Sequence, residues 1–250
     1  MRYSQPASLF VSRWVTVYII PLLSDARRIF KIVAIVVATQ LLMNIPAMAQ
    51  SAPKILLIAR ETLKPGAEAE YDPIESETAV LTAKLGCPHP YLALQPLSGA
   101  QNEVWWFNGF DSQDELDSVG CAYKTNEAWN AALTKNQKRK EPLTGKGIEQ
   151  LADLEPQADS HPWAVGRARY VVVAINPAAR LSGSNVFKGR DGTRYEILTA
   201  NAREEAKRLA RGMDFVLLEV VPRWSFPARE WVDGSREMWK RKRSKSGDVR

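Results

Sequence analysis

Two cysteines, Cys87 and Cys121, and two histidines, His89 and His161, are all the thiols and imidazoles in 250 residues. A structural zinc site takes four such ligands and a catalytic one three, so the chain has too few soft donors in any one stretch to build one. Also missing are a glycine-rich phosphate loop, a G-x-S-x-G elbow, an H-E-x-x-H string and a C-x-x-C pair. Gly145-Lys146-Gly147 is too short to cradle a phosphate. Nucleotide hydrolysis, serine-hydrolase chemistry, zinc proteolysis and dithiol exchange therefore have no carrier in the sequence.

A basic body is lacking too, despite a formal net charge of +6. Arg2, Arg13, Arg27, Arg28 and Lys31 stand in the first 49 residues against Asp25 alone, and the stretch from Arg229 onward holds eight basic and four acidic residues. What lies between is close to neutral, which argues against a broad nucleic-acid surface. The run Lys240-Arg241-Lys242-Arg243-Ser244-Lys245 is read either as a solvated terminus or as a contact with an anionic membrane surface.

The first 49 residues have the parts of a secretory signal. Arg27, Arg28 and Lys31 form a positive region, and Ile32 to Leu42 is an apolar run broken only by Thr39 and Gln40. That run is too short to span a bilayer comfortably. Asn44 and Pro46 break the helix, and Ala47-Met48-Ala49 offers small residues for cleavage between Ala49 and Gln50. The mature chain is then periplasmic or extracellular; the alternative is an uncleaved membrane anchor. A second apolar run, Phe10 to Leu23, lies upstream of the basic cluster and points to a later translation start, near Leu23.

Periodicity divides the remainder into two related stretches. Lys54 to Arg60 reads as a strand, followed by a helix with Tyr71, Ile74, Thr78, Leu81 and Leu85 on one face and Gly86 as its stop. Tyr91–Leu97 and Val104–Phe110 form a hairpin around Ser98-Gly99. Ser112 with Glu115 makes a capping box, opening a helix striped by Leu116, Val119, Ala122 and Tyr123. A second helical stretch runs from Asn126 to Lys135, and Ile148 to Leu154 is taken as a fourth strand. Strand, helix, strand, strand, helix, strand is the ferredoxin-like order. After a linker the order returns in weaker form: strands at Tyr170–Ile175, Tyr195–Thr199 and Phe215–Val221, and a helix capped by Asn201 and Glu204. Its first helix is missing, because Ala178 to Lys188 carries too little apolar periodicity to bury.

The opening ILLIARETLKPGAEAEYDPIE and the later EVWWFNGFDSQDEL resemble the dimeric α+β barrel proteins, among them antibiotic-biosynthesis monooxygenase-like and NIPSNAP-like domains. The resemblance implies an α+β fold: ferredoxin-like antiparallel sheets covered by helices, in tandem as a pseudo-dimeric barrel with a degenerate second half. The expected divisions are a leader at 1–49, a first domain at 50–156, a linker at 157–165, a second, degenerate domain at 166–224 and a basic tail at 225–250. A monomeric pseudo-dimer and a homodimer both fit.

Cys87-Pro88-His89-Pro90-Tyr91 is the most unusual local string. It offers His89 either as a general base or single ligand at a cavity mouth, or as a rigid strand cap. Cys87 and Cys121 are a candidate disulfide in an oxidising compartment, or two separate thiols. Trp105 and Trp106 are consecutive on one strand, so their rings face opposite sides. With Tyr91, Glu103 and Asn108 they are the candidate lining of a ligand pocket. These residues compose no acid–base set, and the expected function is binding of a small hydrophobic ligand or a partner, with no cofactor. The alternative implied by the resemblance is a cofactor-free oxygenase-like or haem-handling enzyme.

Overall fold

Apolar side chains at every second position of successive strands, Leu56 and Ile58, Leu92 and Leu94, Trp105 and Phe107, Val171 and Val173, converge on a single core. The computed structural model describes residues 50–240 except 88, 100 and 213. The leader, its apolar runs and the residues before the cleavage point lie outside the described residues, as does the tail from 241. Among the described residues no helix is long and apolar enough to cross a membrane.

The elements are β1 (Ile55–Leu63), α1 (Glu68–Lys84), β2 (Leu92–Pro96), β3 (Glu103–Phe110), α2 (Gln113–Thr125), α3 (Glu127–Lys140), β4 (Thr144–Glu155), β5 (Tyr170–Ile175), β6 (Asn185–Gly189), β7 (Arg194–Ala200), α4 (Arg203–Leu209) and β8 (Val216–Val220). The strands close into an antiparallel barrel in the order β1-β3-β2-β8-β5-β7-β6-β4. Read from β4, the first half runs β4-β1-β3-β2; read from β8, the second runs β8-β5-β7-β6. Each half thus places its fourth strand beside its first, then its third, then its second. The two seams, β2 with β8 and β4 with β6, each join a second strand to a fourth. The strands of both stretches therefore lie in one closed sheet.

Local chemistry explains most of the elements. Ser112 Oγ accepts the Glu115 amide at 3.1 Å, and Glu115 Oε2 reaches back to the Asp111 amide at 2.6 Å, which makes the capping reciprocal. Gly86, at φ +66°, takes the left-handed turn that releases the chain after α1. Asn176 holds φ +48° after β5, and its side-chain oxygen accepts the Arg194 amide at 2.7 Å, tying that turn to β7.

Three sequence expectations change. The helix of the second half is capped at Ala202 rather than Asn201, without a side-chain bond; Glu205 instead accepts the Asn201 amide. The stretch 178–188 does lack a helix, but it ends in β6, whose Val186 and Phe187 are fully buried. Two adjacent buried residues on a seam strand carry no alternation to detect. Third, Trp163 of the linker and Trp231 of the tail are core residues, with ring centroids 6.3 Å apart at one end of the barrel. Trp239 Nε1 donates to the Gly166 carbonyl at 2.7 Å, tying that part of the tail to the linker.

In place of the missing helix, a loop covers the outer face of the second half. Leu181 packs with Val172, Ala174, Leu198 and Leu217, and Glu196, fully buried on β7, pins the loop from beneath. Its Oε2 accepts the Leu181 amide at 2.5 Å and the Ser184 hydroxyl at 3.1 Å, while Oε1 lies 2.9 Å from Arg194 Nη2.

Candidate ligand cleft

The inside of the barrel is filled. Leu56, Ile58, Trp105, Phe107, Phe187 and Tyr195 are each at most 1 % exposed, which leaves no space there for a ligand. At the end opposite Trp231, Arg60 forms a bidentate pair with Glu103, at 2.9 and 2.8 Å, and lies 4.5 Å over the Trp105 ring. Trp105 Nε1 donates to the same carboxylate at 3.0 Å. Glu103 is therefore saturated with donors and is not placed as a base. Beside it the Tyr195 hydroxyl donates to Gln150, whose amide donates to Asp191.

The five candidate pocket residues consequently divide between two faces. Glu103 and Trp105 point into the barrel; Tyr91, Trp106 and Asn108 lie on the outer face, on the side of the helices. The outer set is only half-buried, as are Leu57 and Ala59 on β1, which pair with Asn108 and Trp106. Over this face α2 contributes no buried residue: Leu116, Val119, Ala122 and Tyr123 are all half-buried. Two half-buried apolar surfaces thus stand on one side of the sheet, and the strip between them is the candidate cleft.

The polar end of this cleft is formed by residues outside the expected set. The buried face of α1 is not Tyr71, Ile74, Thr78, Leu81 and Leu85 but Tyr71, Ile74, Glu75, Ala79 and Thr82. The helix is rotated toward its polar residues. Glu75 Oε1 lies 2.5 Å from Lys140 Nζ at the end of α3, and Glu61 Oε2 lies 3.8 Å from the same ammonium. The Tyr71 hydroxyl donates to Glu61 Oε2 at 2.8 Å. Lys140 Nζ stands 5.6 Å from the Tyr71 ring centroid and 5.7 Å from that of Trp106. Burial, reinforced by the charges of Glu75 and Glu61, pushes the Tyr71 phenol far above its ordinary range, so it is a fixed donor. The signal in the sequence was a lysine closing a helix and glutamates at alternate or helical spacing, a pattern that solvated faces share.

His89 is buried under α2. Its ring stacks on Phe110 at 4.2 Å and Nε2 lies 2.8 Å from the Gly109 carbonyl. Glu115 Oε1 is 4.0 Å from Nδ1. Cys87 and Cys121 are free thiols rather than a disulfide. Cys121 is on the exposed side of α2, whereas Cys87 Sγ is 3.1 Å from the Tyr123 hydroxyl and donates to the His89 carbonyl. Burial raises the pKa of the Cys87 thiol.

Two hollows lie elsewhere. One of about 10 Å³ between α1 and α3, lined by Thr78, Thr82, Trp129 and Asn136, holds at most a water. A groove of about 350 Å³ crosses the β4–β6 seam, where Asp153, Glu155, Lys188 and Arg190 balance in charge. Among the described residues no cluster of three or more histidine, cysteine or carboxylate side chains is placed to hold a metal.

No protein-family model matches the chain, and no curated protein matches its sequence. Several solved structures match the chain at low identity. One is a monooxygenase-like protein from Lactobacillus acidophilus NCFM, 10% identical, covering 66% of this chain and 93% of its own, with a TM-score of 0.41. Another is a NIPSNAP domain protein from Burkholderia xenovorans, 14% identical, covering 42% and 95%, with a TM-score of 0.34. A chlorite dismutase-like protein is 11% identical over 67% and 95%, with a TM-score of 0.40.

Proposed function

We propose that this protein binds one small hydrophobic molecule per chain, in the cleft between α2 and the outer face of β1 and β3. One observation carries the reading: the stripe of α2 and the row Leu57, Ala59 and Trp106 are apolar, on the same side of the barrel, and only half-buried. Apolar surface left partly wet gains about 25 cal/mol for each Å² that a ligand covers. The barrel interior is already packed, so the molecule is held outside it.

The stoichiometry follows from a proposed internal pseudo-dimer, supported by the matching strand order of the halves. Only the first half keeps its long helices; in the second the equivalent face lies under the Leu181 loop. We also propose that the protein works after export, on the strength of the sequence from Arg27 to Ala49. Recovery of a product beginning at Gln50 supports that; an intact leader on the mature protein contradicts it.

The binding test is a fluorescence titration with N-phenyl-1-naphthylamine. Trp106→Ala and Leu57→Glu are each expected to weaken binding about 10-fold or more, since a buried aromatic or leucine contact contributes roughly 1.5–3 kcal/mol. Phe187→Leu, inside the barrel, leaves the affinity unchanged. Equal affinity in all three variants contradicts the cleft. A second reading, an enzyme acting on the molecule held there, is favoured by the grouping of Glu61, Tyr71, Glu75 and Lys140. Turnover of the bound molecule by the purified protein selects that reading over the first.

A further inference from the structure

We propose that the molecule taken by the cleft is an amine, whose cationic nitrogen rests on Glu61 at the polar end; this rests on the cleft reading above. The polar end holds two carboxylates, Glu61 and Glu75, against one ammonium, Lys140. That ammonium is committed to Glu75, at 2.5 Å, and stands 3.8 Å from Glu61. Glu75 Oε1 is buried against the Lys140 ammonium, which is therefore not free to serve Glu61 fully. Neighbouring cations are engaged elsewhere: Arg139 pairs with Glu77, Lys64 donates to the Pro142 carbonyl, and Arg60 points to the other face with Glu103.

Accessibility singles out the acceptor. The Glu75 side chain is 3 % exposed and Lys140 9 %, whereas Glu61 reaches 15 %. Glu61 Oε2 takes the Tyr71 hydroxyl, and among the described residues Oε1 receives no hydrogen bond. The Tyr71 and Trp106 rings already flank one cation in this place, and their faces favour another. A carboxylate with one oxygen open, beside aromatic faces and at the end of an apolar row, fits an ammonium on a short apolar body. It does not fit a carboxylate ligand, which would bring a third negative charge to the cluster.

The test compares three probes of one shape: 2-(1-naphthyl)ethylamine, 1-ethylnaphthalene and 1-naphthylacetate, titrated into the wild-type chain and Glu61→Gln. Glutamine keeps an oxygen for the Tyr71 hydroxyl, and the neutral probe reports that the cleft is intact. In the wild type the amine is expected to bind about 10-fold or more tighter than ethylnaphthalene, as a charged hydrogen bond warrants, with the acetate weakest. In Glu61→Gln the amine falls to the level of the neutral probe while the neutral affinity holds. Equal binding of amine and neutral probe in the wild type, or an amine preference that survives Glu61→Gln, overturns the amine assignment and leaves the cleft standing. Failure of all three probes to bind overturns both.

Discussion

Trp105 and Trp106 are neighbours in the chain and belong to different interiors. Trp105 is fully buried inside the barrel, donating to Glu103, while Trp106 is half-buried on the outer face, near Lys140. The distinction between packed lumen and open cleft is thus drawn within one dipeptide, and truncation should separate the two roles. Trp105→Ala is expected to cost about 3–5 kcal/mol, the range for a large core aromatic. Trp106→Ala should cost less than half as much while removing ligand affinity. Urea denaturation of the two variants gives the comparison.

Lys140 and Glu75 hold two helices together through a pair with little solvent access. Removing one partner leaves the other charge buried, so Lys140→Met is expected to lose about 3–5 kcal/mol. The double variant Glu75→Gln with Lys140→Met should be more stable than Lys140→Met alone. A double-mutant cycle of denaturation midpoints, with unchanged slopes, checks both statements.

Alkaline pH should expose the buried phenols. Tyr71, Tyr91 and Tyr123 all have pKa values raised in the folded protein, in each case chiefly by burial. Below about pH 10 the folded and unfolded chains both keep these protons, and the contribution is level. As pH rises through about 10, the unfolded chain releases protons that the folded one retains, and stability falls. Tyr71→Phe removes one of these groups and should make that fall shallower. Thermal midpoints between pH 8 and 11 measure it.

Glu196 tests the closure of the second half. It is fully buried and holds the Leu181 amide and the Ser184 hydroxyl. Glu196→Ala strands these donors and Arg194, and should cost at least about 2 kcal/mol, since each buried unsatisfied group costs roughly 1–3. Hydrogen exchange should quicken at residues 181–184 while residues 56–58 stay protected. Uniform quickening across the barrel would show that the loop is not a separate cover.

The strands with clean alternation were legible because a half-buried sheet writes period two into the sequence. Val104–Phe110 and the ambiguous Ile148–Leu154 both lie within strands of the barrel, and Tyr170–Ile175 was legible instead as an unbroken β-branched run. The capping box at Ser112 was legible for a similar reason: its chemistry is local. β6 was not, since a five-residue strand enclosed on both faces carries no period. The cleft's polar end was hidden more deeply. Hydropathy aligns α1 on Leu81 and Leu85, but contacts 60 or more residues away in sequence, Lys140 with Glu75 and Arg139 with Glu77, turn it onto Glu75 and Thr82. Long-range ion pairs leave no mark in a local window.

The most direct test of the account is hydrogen exchange of the full folded chain with and without saturating 2-(1-naphthyl)ethylamine. Ligand in the cleft between α2 and the sheet is expected to slow exchange in residues 113–125 and at the outer edge of β1 and β3, with one molecule bound per chain and no change across β5 to β8. Protection centred on β5 to β8, or two molecules bound per chain, would contradict it.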